Sequence, residues 1–134
     1  MESFRKSIKI VGFAALGIFL TLFTVIGVFA GCIAYESNYK KTEVYTEQSP
    51  DGCYTLRLYE VGDPVFPFGP VTARIVIEDA RGKTIDACSF ELNNDGGHVR
   101  ERNLKELRWL EGTVEADVKG AGEDAPTTHI LQLQ

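Results

Sequence analysis

The chain has 134 residues, 44% of them hydrophobic, and a formal charge of −5. The charge is unevenly placed. Residues 1–9 carry Arg5, Lys6 and Lys9 against Glu2, a balance of +2, whereas residues 36–134 carry 11 Lys and Arg against 18 Asp and Glu, a balance of −7. So acidic a part repels polyanions, which excludes nucleic acid as a partner, and about a hundred residues make one small domain rather than two.

Residues 10–35 read IVGFAALGIFLTLFTVIGVFAGCIAY and hold no charged side chain. About 20 apolar residues, rising about 1.5 Å each, span a hydrocarbon core about 30 Å thick. The run exceeds that length and is apolar all round, with no polar stripe to face water, so it reads as a transmembrane anchor. Thr21 and Thr24 can bond their hydroxyls to carbonyls one turn back. Arg5, Lys6 and Lys9 precede the run. Lys40 and Lys41 follow it beside Glu36 and Glu43. This excess of basic residues at the front predicts a cytoplasmic N-terminus (residues 1–9) and an extracytoplasmic remainder, with Tyr35 and Tyr39 at the outer interface.

Cys32 opens a second reading of the same segment. A basic start, an apolar stretch and then Phe29-Ala30-Gly31-Cys32 resembles a bacterial lipoprotein signal with its lipid-modified cysteine. Phe29 departs from the usual aliphatic residue, and Ile33, Ala34 and Tyr35 stay apolar where a lipoprotein turns polar. The run is also longer than the roughly 7–15 residues of a signal h-region. Length favours a retained anchor, with lipidation of Cys32 as the alternative. Membrane lipid is a partner in both.

Residues 36–42 form a polar stalk that extends the helix briefly, and residues 43–134 form the outer domain. Residues 43–48 read as a short strand. The turn Ser49-Pro50-Asp51-Gly52 follows, with Pro pre-setting φ and Gly accepting a positive one. Residues 53–61 alternate, with Tyr54, Leu56 and Leu58 inward and Cys53, Thr55 and Arg57 outward. Residues 62–70 are a loop with three prolines. Residues 71–79 alternate again, Arg81-Gly82-Lys83 is a tight turn, and residues 84–92 are a strand with Cys88, Phe90 and Leu92 inward. Asn93-Asn94-Asp95-Gly96-Gly97 is the strongest turn signal in the chain. Residues 104–110 fit a helix face through Leu104 and Leu107, or a strand with Leu107 and Trp109 inward. The turn at Glu111-Gly112 favours the strand. Residues 113–119 and 128–133 complete the pattern, with Val114, Ala116 and Val118 inward. The fold class is mainly β: an N-terminal transmembrane helix, then six or seven antiparallel strands in a small sandwich or partly open barrel.

The segment SPDGCYTLRLYEV resembles the start of the β domain in small uncharacterised exported bacterial proteins with one N-terminal membrane segment. IVIEDARGKTI, NNDGG and LRWLEGTVEADVKG are similar in style to the rest of such domains. The resemblance implies a bacterial surface or membrane protein and transfers no catalytic residue.

Cys53 and Cys88 are an even pair in an exported part, which suggests a disulfide. Their opposite faces argue against it, because a bridge needs Cβ atoms within about 4.5 Å. For chemistry the sequence offers little. His98 and His129 lack partner ligands at metal spacing. There is no HExxH, paired CxxC, Walker loop or GxSxG, so the chain reads as a non-enzyme without a cofactor. Glu91, Asn93 and Asp95 before Gly96 mimic part of a calcium loop. The first position is Glu, however, and Glu101 falls one residue short of the closing ligand, so the segment reads as a plain turn and no metal is expected.

The candidate interaction loop is residues 62–70. Val65, Phe66 and Phe68 sit among prolines that stiffen it, so ordering them against a partner or the membrane surface costs little entropy. The alternative, favoured because a small domain needs its aromatics, is that the phenylalanines cap the β core. The functional expectation is a single-pass membrane protein that presents a small acidic β domain outside the cell for binding an envelope protein or peptide. The alternative is a lipoprotein-type immunity or stress protein that sequesters cationic peptides at the membrane.

Overall fold

The computed structural model describes residues 1–133, with side chains described for residue 1 and residues 11–133. Helix α1 (Glu2–Tyr39) runs unbroken through Cys32. Within its stretch Val11–Tyr39 the most apolar 18 residues have a mean hydropathy of 2.4 and are wholly unburied. The 29 residues of the stretch extend about 43 Å, more than a hydrocarbon core requires. By length and composition this one helix can cross a membrane. Thr21 Oγ1 donates to Gly17 O at 2.9 Å and Thr24 Oγ1 to Leu20 O at 2.8 Å, so both hydroxyls are satisfied within the helix.

The chain divides into two compact units, Met1–Tyr35 and Glu36–Gln134. The expected stalk at residues 36–42 is not a separate element. Glu36 to Tyr39 form the last turn of α1, and only Lys40 separates it from strand β1 (Lys41–Gln48). Backbone bonding fixes this passage within the second unit: Gly62 N donates to Lys40 O at 2.8 Å, and Asp63 N to Ser37 O at 2.8 Å. Gly62 has φ +71, and a Cβ there would lie 2.5 Å from Ser37 O. The close approach and the left-handed backbone both require glycine.

The β unit holds two antiparallel sheets. The first has the order β1, β2 (Tyr54–Val61), β3 (Val71–Asp79), β4 (Thr84–Leu92). The second has the order β5 (Leu104–Leu110), β6 (Thr113–Val118), β7 (Thr127–Gln132). Alternation decides what each strand buries. Leu56, Leu58, Ala73, Ile75 and Ile77 from the first sheet meet Val114, Ala116, Val118 and Leu131 from the second in one core cluster, each fully buried. The sheets are open and stack face to face, a sandwich rather than a closed barrel. Tyr45 and Glu47 on β1 reach the second sheet's edge: Trp109 Nε1 donates to Glu47 Oε1 at 3.2 Å, and Tyr45 donates its hydroxyl to the same carboxylate. That hydrogen bond pushes the Tyr45 phenol up to about 12. On the other flank, the Phe90 and His129 rings stack at 3.8 Å.

Residues 104–110 form a strand, and a bulge explains their mixed periodicity. The β5–β6 register slips between Leu104 and Glu106, which leaves Lys105 as an extra residue. Leu104, Leu107 and Trp109 therefore all pack on the core, at a spacing that imitates a helix face before the slip and a strand after it.

The disulfide does not form; both cysteines are free. Cys53 sits exposed ahead of Tyr54, which pairs with Asp79, whereas Cys88 pairs with Ile75 and so with Leu58 beyond it. The two are two strands apart, about 9–10 Å laterally, and further apart along the strands. Bridging would need the sheet to come apart.

Gly62→Ala is expected to destabilise the β unit by about 1–2 kcal/mol or more, since an alanine must hold a left-handed φ and displace Ser37 O. Thermal unfolding followed by the β-sheet circular dichroism signal in detergent checks this, together with new proteolytic cuts in residues 36–42.

Candidate functional site

The loop between β2 and β3 carries the most exposed aromatic side chains of the β unit. Phe66 is 90% exposed, Phe68 75% and Val65 60%. They do not cap the β core, which corrects that expectation. Leu92, Val71 and Val99 close that end of the sandwich instead, all buried. The loop is nonetheless ordered by its own bonds. Val65 N donates to Pro70 O at 3.0 Å and Gly69 N to Val65 O at 2.7 Å. The Phe66–Pro67 peptide is cis.

A second brace comes from the turn after β4. Gly96 N donates to Gly69 O at 3.1 Å, and at φ +72 a Cβ on Gly96 would lie 2.2 Å from Pro67 O. Two buried asparagines hold that turn. Asn94 Nδ2 donates to His98 O at 2.7 Å, while its Oδ1 accepts from Asn103 Nδ2 at 3.0 Å and from Ala121 N at 2.9 Å. Asn103 Nδ2 also donates to Lys119 O at 2.8 Å, and its Oδ1 accepts from Arg100 N at 2.8 Å. Every one of these polar groups is paired, as burial demands. The run of residues 93–97 is thus not a hairpin turn. It begins the crossover from the first sheet to the second, which the 3-10 turn Glu101–Asn103 completes.

The calcium-like spacing disperses. Glu91 faces Thr72 on the sheet, while Asn93 turns to the opposite loop, its N–H on Glu123 Oε1 at 3.0 Å. Among the described residues, no three His, Cys, Asp or Glu side chains come together as a metal site.

Glu60 is the functional-looking group that sequence reading misses. It shares the inward parity of Leu56 and Leu58 and is 6% exposed. Its Oε2 accepts from Val99 N at 2.5 Å, and its Oε1 meets His98 Nδ1 at 2.8 Å. The signal was present as a charged residue on the apolar face of a strand. The pair orients the His98 imidazole and ties residues 98–99 to β2. The His98 side chain itself stays largely exposed.

The outer faces carry arginines set among carboxylates. Arg57 lies 2.7 Å from Glu43 and 3.0 Å from Glu78; Arg108 lies 2.6 Å from Glu106, 3.1 Å from Glu115 and 2.9 Å from Asp117. Arg108 and Thr128 hold the Asp117 carboxyl below its usual range. Cys32 lies exposed on α1. No protein-family model, curated protein or solved structure matches this chain.

His129 makes stability pH-dependent. Burial, opposed by the Glu123 carboxylate, holds its imidazole below the usual histidine range. The unfolded chain takes up a proton near pH 6.5 that the folded chain resists. The stacked ring's contribution is therefore complete above about pH 6.5 and declines as pH falls through the depressed folded value. The melting temperature is expected to drop between pH 7 and 5, and to drop less in His129→Phe. Thermal melts across that range compare the two.

Proposed function

We propose that this chain is a single-pass membrane protein that holds a small acidic β domain outside the cell and acts by binding. One observation carries the reading: residues 11–35 are apolar and exposed, while the β unit completes its core without them. A helix of that kind has no stable place in water. The three basic residues before it support a cytoplasmic N-terminus. The length of the apolar run, beyond that of a signal h-region, supports a retained anchor over a cleaved, lipidated one. Val65, Phe66 and Phe68 supply the contact surface, and a rigid apolar loop suits binding because little freedom is lost. Membrane lipid and an envelope protein or peptide are the partners this surface fits.

The second reading, capture of cationic peptides at the membrane, draws on the balance of −7 over residues 36–134. It ranks lower because five outer carboxylates already face Arg57 or Arg108.

Cys53 offers the test. It is exposed at the turn before β2, and Asp51 holds its thiol above the usual range, so labelling quickens as pH rises. In intact cells a membrane-impermeant maleimide is expected to label Cys53, and alkaline carbonate to leave the chain in the membrane pellet at full mass. Labelling only after permeabilisation would place the domain inside. Release by carbonate would remove the anchor, and a mass beginning at a diacylated Cys32 would establish the lipoprotein reading.

A further inference from the structure

We infer that Val65, Phe66 and Phe68 form a wedge seated in the bilayer interface next to where the chain leaves the membrane. The inference rests on the anchored reading and names lipid as the occupant of its contact surface. Position is the first support. The loop is rooted through Gly62 on Lys40 O and through Asp63 on Ser37 O, five and two residues past the apolar run that ends at Tyr35. Phe66 lies three residues beyond Asp63, which limits its reach from that root to about 11 Å. The headgroup layer of each leaflet is about 5–8 Å deep, so the loop tip is within range of lipid whenever the helix spans.

Backbone chemistry is the second support, and it favours lipid over a protein groove. A segment entering an apolar medium must not carry unsatisfied N–H groups. Pro64, Pro67 and Pro70 have none, and the N–H groups of Val65 and Gly69 are bonded to Pro70 O and Val65 O. Five of the seven residues 64–70 therefore enter without an open donor, and the N–H groups of Phe66 and Phe68 are left to headgroup oxygens and water, which fits an interfacial seat rather than the hydrocarbon core. The same span carries no charged side chain. Rigidity is the third support: the internal bonds and the Gly96 brace hold the rings outward before any contact, so the apolar gain on insertion is not spent on ordering. Because the domain is acidic, attraction to anionic headgroups does not drive the seating. The wedge therefore works in zwitterionic lipid and is insensitive to salt.

The test uses the full chain reconstituted in phosphatidylcholine vesicles. An environment-sensitive fluorophore is placed by Phe66→Cys, or separately by Phe68→Cys, with the native cysteines replaced. The reference is the same fluorophore on native Cys53, with Cys32 and Cys88 replaced, at the opposite end of the sheet. Blue-shifted emission at positions 66 and 68, quenched several-fold more by acyl-chain nitroxide lipids than at position 53 and unchanged by salt, is the expected result. Chain that floats with the vesicles while positions 66 and 68 emit and quench like position 53 overturns the wedge and leaves the anchor standing. Chain that fails to float with the vesicles overturns both.

Discussion

Two backbone hydrogen bonds set the arrangement on which the account depends. Gly62 N to Lys40 O and Asp63 N to Ser37 O convert a polar connection into a fixed passage from α1 to β1. With these bonds made, the start of the loop and the end of the helix share one backbone address. Glycine at position 62 is what permits so close an approach.

From there the structure propagates by ordinary sheet physics. Lys41 pairs with Val61, so the β2–β3 loop is bound to lie at the end of the sheet where β1 starts; Val71 pairs with Leu92, which brings the turn after β4 to the same end. That turn packs its glycine on the loop, and the Asn94–Asn103 pair locks the turn to the second sheet. A fully satisfied buried polar network specifies one arrangement where apolar packing alone tolerates several. Glu60 adds to the same region by spending both carboxylate oxygens on residues 98 and 99.

Much of this was legible in the residues, because one physical rule dominates each part. The long apolar helix follows from hydropathy. Strands β3 and β4 follow from clean alternation, and their limits match residues 71–79 and 84–92. The strand at residues 104–110 was ambiguous because its bulge mixes two periods, and a bulge leaves no signature besides that mixture. Val65, Phe66 and Phe68 could be picked out, but their exposure could not. It depends on Leu92, Val71 and Val99 closing the core first, a tertiary competition that composition does not display. Residues 36–42 look like a linker by polarity, and the bonds that remove their freedom come from a segment some twenty positions later. Glu60 was visible as a misplaced charge, yet its partners lie 38 and 39 residues away.

The central claim is that residues 37–40 and 62–63 are held as one piece. Amide hydrogen exchange of the full chain in bilayer nanodiscs measures it at the two bonds themselves. Gly62 and Asp63 amides protected to the level of strand β2 are the predicted result. Exchange of both amides at the rate of an open loop would show that residues 36–42 are a loose connection, and would contradict the account.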